Sequence, residues 1–394
     1  MDALTSLLDL PVAEKESRGL IFTPQEIAQQ PATWRQTGLL FESQQEEFKS
    51  FLDRAGVTGP LDRRPVVMLI GAGTSDYIGE SLALLFRQRW GCEAMAVAST
   101  SLLPSLSEYV IPGRRYLWIS FSRSGDSPEG VSVLEQALEI YPDIWHLVVT
   151  CNRDSRMAGL AVNRANVCTA ILDDAVNDRS LAMTSSFTNM VIFGQCLAHA
   201  WNFAEYKPTL DGIIAAADKF LGDSAELANK MARRGTRRIC MIGSGSLGAV
   251  AQEASLKVLE MSGGKIKTMP QTSLGLRHGP MAALDGETDL VCFLSAESPR
   301  LQYELDLLRE LREKKITASC VVVGLKRCEA ETLPLCDTYH PIDGSLPDAY
   351  RPPVDVIFGQ LLGLYSSLSF GLRPDAPSPA GVINRVVNDF TIYR

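Results

Sequence analysis

Several common functional signatures are missing from this chain of 394 residues. No Gly-x-x-x-x-Gly-Lys-Ser/Thr occurs, so the usual nucleoside triphosphate loop is excluded. Nine cysteines are scattered without one Cys-x-x-Cys. That pattern excludes a zinc-ribbon or disulfide framework and predicts free buried thiols in a reducing compartment, with the cytoplasm as the expected location. There are only four histidines and no His-x-x-x-His, so no metal-ligand cluster is expected. Basic residues are the minority, 38 against 46 acids for a net charge of −8. With no basic patch or helix-turn-helix segment, this argues against a nucleic-acid partner, and any bound anion must be held locally. The longest apolar stretch, Phe358 to Leu372, is interrupted by Gln, Gly, Ser and Tyr and falls short of a membrane span. The opening MDALTSLLDLPVAEKESRG lacks the basic start, apolar centre and small-residue cleavage site of a signal peptide.

What is present is 46% apolar and 21% charged residues, enough for two or three globular domains. Thr23, Pro24 and Glu26 read as a capping box that starts a short helix. From Arg64 short apolar runs alternate with helical periodicity: VVMLIGAG before a helix near 76–89, YLWISFS before one near 127–140, HLVVTCN before one near 155–164. Such alternation predicts an α/β fold with a parallel sheet covered on both faces. The second half repeats the first: RRPVVMLIGAGTSDYIGESLALLF is echoed about 172 residues later by TRRICMIGSGSLGAVAQEASLKVLE. A boundary is expected near Tyr206 to Thr209, where EYKPTLDG breaks the helical pattern. This predicts a helical segment over 1–47, α/β domains over 48–208 and 209–372, and an ordered C-terminal arm over 373–394.

GSGSLG, Gly243 to Gly248, fits a dinucleotide fingerprint but fails on context. The acid that should end a second strand and meet the ribose is Glu260, on the same helix as the elbow. GAGTSD and SFSRSGDSPE instead place Thr74, Ser75, Ser122, Ser124 and Ser127 at the starts of two helices. Helix N-termini carry partial positive charge and unsatisfied donors, which suits a phosphate monoester; plain helix capping is the competing reading. EASLKVLE puts Glu253, Lys257 and Glu260 on one face of a helix otherwise poor in charge, either a solvated ion-paired face or a polar pocket. Of the histidines, His146 and His199 lie in apolar segments and His340 precedes a proline in an expected loop. His278, between Arg277 and Gly279-Pro280, is placed for proton chemistry near neutral pH.

With TPQEIAQQPATW, SLAMTSSFT, LGLRHGP, YELDLLRELR and PAGVINRVV added to these motifs, the sequence resembles the sugar isomerase (SIS) superfamily. The resemblance is to chains with two SIS domains in tandem, and within them to the tagatose-6-phosphate ketose/aldose isomerases, which include galactosamine-6-phosphate deaminases. It implies a five-stranded parallel sheet in each domain. It also implies phosphate ligation by Thr74, Ser75, Ser122, Arg123 through its backbone N–H, Ser124 and Ser127, with Gly73, Ala182 and Thr184 as further substrate contacts. Glu260 would move a proton between C1 and C2, His278 would open the sugar ring from a neighbouring subunit, and Glu253 and Lys257 would line the same pocket. The implied reaction converts galactosamine 6-phosphate to tagatose 6-phosphate and ammonia in a homodimer, without metal or organic cofactor. Plain hexose-phosphate isomerisation, glucosamine-6-phosphate deamination and a sugar-phosphate sensor remain open alternatives. The chain departs from the glucosamine-6-phosphate synthase pattern in lacking a glutaminase domain and in its tail, so neither ammonia channelling nor a tail lysine is implied.

Overall fold

The computed structural model describes residues 2–378, 380–388 and 390–393. In chain order the first half contains α1 Ala3–Leu8, α2 Val12–Arg18, α3 Thr23–Ala28, α4 Gln30–Ala55, β1 Val66–Gly71, α5 Thr74–Trp90, β2 Ala94–Ala98, α6 Ser99–Tyr109, β3 Tyr116–Ser122, α7 Pro128–Ile140, β4 Trp145–Thr150, α8 Arg156–Leu160, β5 Val167–Ile171 and α9 Ser185–Ala198. The second half contains α10 Phe203–Ala232, β6 Arg238–Gly243, α11 Ser246–Met261, β7 Lys267–Thr272, β8 Thr288–Phe293, α12 Arg300–Lys314, β9 Ser319–Leu325, α13 Glu329–Thr332, β10 Thr338–Ile342 and α14 Pro352–Ser369.

These elements form two compact units. One holds Ala32–Asp178, Ser185–Pro208 and the chain from Ile383 onward; the other holds the chain up to Pro31, Arg179–Thr184 and Thr209–Val382. Each contains a five-stranded, all-parallel sheet, in the orders β2-β1-β3-β4-β5 and β10-β9-β8-β6-β7. Numbered from its own first strand, each sheet has the same order, as expected for a duplication. The inner strands are closed to water on both faces: all six residues of β1 and β8 and all seven of β9 are buried. That is why they read as continuous apolar runs instead of alternating ones. The edge strand β7, KTMPQT, is partly exposed, which accommodates its lysine and proline.

The turns that leave β1 and β6 share one backbone solution. Gly73 and Gly245 precede α5 and α11 at φ 56°, ψ −123° and φ 59°, ψ −133°, a region that side-chain-bearing residues rarely adopt. Two residues earlier, a Cβ on Gly71 would lie 2.2 Å from the Ser75 carbonyl carbon, and one on Gly243 2.2 Å from the Leu247 oxygen. The helix must start close over the strand end, and only glycine leaves room.

Four local expectations are corrected. α10 runs unbroken through Pro208. The proline forfeits one helix hydrogen bond, but buried Tyr206, Leu210, Ile213, Ala217 and Phe220 keep a helical period across it. His340 lies within β10, an edge strand that tolerates Pro341. The helix near 155–164 is only the five residues of α8. The capping box does not form: Thr23 Oγ1 donates to Asp375 Oδ1 at 2.8 Å, and Glu26 accepts from the backbone N–H of Arg179 at 2.6 Å. All nine cysteines are free and buried. No helix among the described residues is long and apolar enough to cross a membrane.

Candidate functional site

In the unit of the first sheet, the carboxyl ends of the adjacent strands β2, β1 and β3 surround a small cleft of about 30 Å³. Its lining includes Gly71, Ser75, Ser99, Ser120, Ser122, Ser127 and Gly130, and no acidic side chain. Ser75, Ser122 and Ser127 are therefore brought together, as expected. Gly73, Thr74, Arg123 and Ser124 belong to the same two elbows but do not line this cleft. Thr74 and Ser75 are almost wholly buried, whereas Gly73 is exposed.

The capping alternative can be checked directly. The N-cap of α5 is Gly73, which has no side chain, and Ser127 at the N-cap of α7 makes no side-chain cap hydrogen bond. The Ser127 hydroxyl is thus not consumed by the helix it begins. Both helices are long enough, at 17 and 13 residues, to present a developed positive end.

The second elbow is held from several sides. Ser122 Oγ accepts from the Gly125 N–H at 3.0 Å, so its own proton points elsewhere. Ser124 Oγ accepts from the Asp126 N–H at 3.2 Å. Asp126 accepts in turn from the Arg156 N–H at 2.8 Å, and Asn152 Nδ2 donates to the Ser124 carbonyl at 3.0 Å. The buried Arg123 side chain donates to the Arg385 carbonyl in the C-terminal arm. Arg385 itself donates to the Asp178 carbonyl and to Asn177 Oδ1, both at 2.7 Å. On the first elbow, burial, with the neighbouring Glu80 charge second, pushes Asp76 up to about 6.

In the unit of the second sheet, α11 carries Glu253, Lys257 and Glu260. Lys257 Nζ lies 2.7 Å from Glu260 Oε2 and 3.4 Å from Glu253 Oε1. The side chains of Glu253 and Lys257 are 0% and 1% exposed, whereas Glu260 is 23% exposed. The solvated-face reading is therefore excluded for this triad. Glu253 is sealed in, and Glu260 is the carboxylate that a ligand can reach.

His278 follows a short 3₁₀ turn, Gly275–Arg277, and is exposed. Its N–H donates to the Gly275 carbonyl at 2.9 Å, and the preceding Arg277 is tied to Glu310 at 2.7 Å. The other three histidines are buried, and burial pushes His146 down to about 3 and His199 and His340 to about 4. All three are therefore neutral at physiological pH. His199 stacks on Tyr206, and His340 stacks on Phe220 while bonding Ser224 Oγ at 2.7 Å.

Ala182 and Thr184 are, like Ser180, buried residues of a strap, Arg179–Thr184, that is otherwise partly exposed. Glu26 accepts from the Arg179 and Ser180 N–H groups and from the Ser180 hydroxyl, and Gln360 Nε2 donates to the Thr184 carbonyl at 3.3 Å. Three buried polar residues carry no mark of that placement in the sequence. Ser99 was visible as a serine following the strand-like AMAVA. Glu26 looked like half of a capping box. Glu304, a buried carboxylate on α12, looked like one more charge in YELDLLRELR.

No family model matches the chain. It is 35% identical to the AgaS protein of Streptomyces coelicolor over 95% of each chain. It is 32% identical to the D-galactosamine-6-phosphate deaminase AgaS of Escherichia coli, covering 94% of this chain and 95% of that one. The solved tagatose-6-phosphate ketose/aldose isomerase of Escherichia coli superposes with a TM-score of 0.81 at 31% identity, over 92% of this chain and 95% of that one. With identities above 30% across nearly the full length of each, and two parallel five-stranded sheets of like order, the chain belongs to the AgaS family of tandem-SIS sugar-phosphate enzymes.

Proposed function

We propose that the protein is a deaminating aldose-ketose isomerase that converts galactosamine 6-phosphate and water to tagatose 6-phosphate and ammonia. The observation that carries this reading is the α11 triad, in which a buried ammonium holds one shielded and one reachable carboxylate. In this reading Thr74, Ser75, Ser122, the Arg123 N–H, Ser124 and Ser127 hold the 6-phosphate, with Gly73, Ala182 and Thr184 as further contacts. His278 protonates the ring oxygen as the C1 hydroxyl gives up its proton, which opens the ring. Glu260 then takes the C2 proton and delivers it to C1 through an enolamine, leaving a 2-imine. Water adds to the imine carbon and ammonia leaves, so the last step is a hydrolysis. Each positioned acid-base step is worth roughly 10²- to 10⁴-fold in rate. Lys257 orients Glu260, and Glu253 orients Lys257. The enzyme acts as a cytoplasmic homodimer in amino-sugar catabolism, with His278 contributed across subunits; its exposure on a loop supports that role.

The test measures ammonia release from galactosamine 6-phosphate, glucosamine 6-phosphate and their N-acetyl forms, with wild type, Glu260→Gln, His278→Ala and mixtures of the two variants. Release is expected from galactosamine 6-phosphate, with each variant inactive alone and activity partly restored on mixing. Isomerisation of tagatose 6-phosphate without ammonia release from any amino sugar would favour the plain isomerase. A near wild-type rate for Glu260→Gln would remove Glu260 from the chemistry.

A further inference from the structure

The carboxyl ends of β6, β7 and β8 present a second position equivalent to the serine cleft of β1, β2 and β3. Part of its donor set is equivalent too. Ser273 follows β7 as Ser99 follows β2, and by strand register Ser295 stands after β8 where Arg123 stands after β3, so its N–H takes the place of the Arg123 N–H; Ser244, after β6, stands where the first copy has Ala72. In this copy, however, they close on an anion from the chain itself. Ser273 Oγ donates to Glu304 Oε1 at 2.9 Å, the Ser295 N–H donates to Oε2 at 2.6 Å, and Ser244 Oγ donates in turn to Ser273 Oγ at 3.1 Å. Glu304 is 1% exposed. Its helix, α12, matches α7 of the first sheet, where the same fifth position is Ser132.

We propose that Glu304 is a built-in substitute for phosphate, filling a second anion site at the start of α11 so that each chain binds a single sugar phosphate. A buried carboxylate is costly, and burial does push the Glu304 carboxyl above its ordinary range even with its donors in place. Such a group is tolerated where donors already converge on a negative charge. Two backbone elbows of one geometry, each with a serine after the second strand of its sheet and a backbone N–H after the third, supply that convergence in both copies. In the second copy Glu304 occupies that convergence, whereas no acidic side chain lines the cleft of the first. This rests on reading the serine cleft as a phosphate site, and the experiment separates the two.

Inorganic phosphate is titrated by calorimetry, at constant ionic strength, into the full-length chain. Wild type should take up one equivalent per chain, Glu304→Ala two, and Glu304→Gln, which keeps the space filled, one. Glu304→Ala combined with Ser122→Ala and Ser124→Ala should retain only the new equivalent. No uptake by wild type with one equivalent in Glu304→Ala would defeat the serine-cleft reading and leave this proposal standing. A folded Glu304→Ala with no added equivalent overturns it. If Glu304→Ala does not fold in chloride, folding in phosphate of equal ionic strength supports the proposal, and failure in both makes Glu304 a structural keystone and overturns it.

Discussion

Lys257→Met is the perturbation that most directly tests the α11 triad. Methionine nearly preserves the volume and apolar stem of lysine but removes the cation 3.4 Å from Glu253 Oε1 and 2.7 Å from Glu260 Oε2. At an effective dielectric constant of about 20, a unit pair at 3.4 Å is worth roughly 5 kcal/mol before desolvation is counted. Removing one partner of a buried pair typically costs about 3–5 kcal/mol, because the other charge stays behind unscreened. Glu253 is fully buried, so the Lys257→Met loss should fall in that range; the pairing with Glu260, which is partly solvated, adds less. Replacing both partners removes the stranded charge, so Lys257→Met with Glu253→Gln should recover about 2 kcal/mol or more of the loss. The assay is urea unfolding followed by far-UV circular dichroism, with activity measured on the same samples. Stability should return in the double variant while activity does not, since Glu260 still lacks its ammonium. A Lys257→Met loss below about 1 kcal/mol, or a double variant no more stable than the single, would refute the account of a buried ion pair.

Asp76 gives a pH signature. Its folded pKa of about 6 lies above the unfolded 3.8, so its contribution to stability is fully present below about pH 4 and is lost as pH rises through 6. Asp76→Asn should therefore raise Tm at pH 8 and leave it nearly unchanged at pH 4, and an equal effect at both would contradict burial as the cause. Glu26 positions the strap that carries Ala182 and Thr184, where it accepts three hydrogen bonds. Glu26→Gln should raise KM several-fold with a smaller change in kcat, and a fall in kcat alone would place its role elsewhere.

The sheets, their duplication and the two elbows were legible because each rests on a local signal: continuous apolar runs, Gly-x-Gly turns, and hydroxyls next to them. The α11 face was legible as spacing but not as burial, since Glu253, Lys257 and Glu260 would show the same periodicity on a solvated helix. Glu26 and Glu304 were illegible for a related reason. Their partners, Ser180 and Ser273, lie 154 and 31 residues away in sequence, and no local pattern marks a carboxylate that closes a long-range hydrogen-bond set. Pro208 and Pro341 misled in the opposite direction. Proline is a strong local breaker, yet a buried helical stripe and an edge strand each absorb one.

The duplication also supplies an internal control for the functional assignment. Gly73 and Gly245 are 172 residues apart and begin matching helices, so at the same offset Glu253, Lys257 and Glu260 correspond to Ser81, Leu85 and Gln88 on α5. In that copy the inward positions meet no unusual demand: Leu85 is 1% exposed, and Ser81, equally buried, bonds back to the Tyr77 carbonyl at 2.8 Å. An apolar or small residue is therefore sufficient for the helix to pack on its sheet. Packing alone cannot account for the charged triad in the second copy, which bears a desolvation penalty that the first avoids. The hydroxyls diverge the other way, since Ser75 of the first elbow corresponds to Leu247 of the second. The two copies have thus diverged at particular positions: Ser75 lines the cleft of the first, and the buried ion triad is confined to α11 of the second.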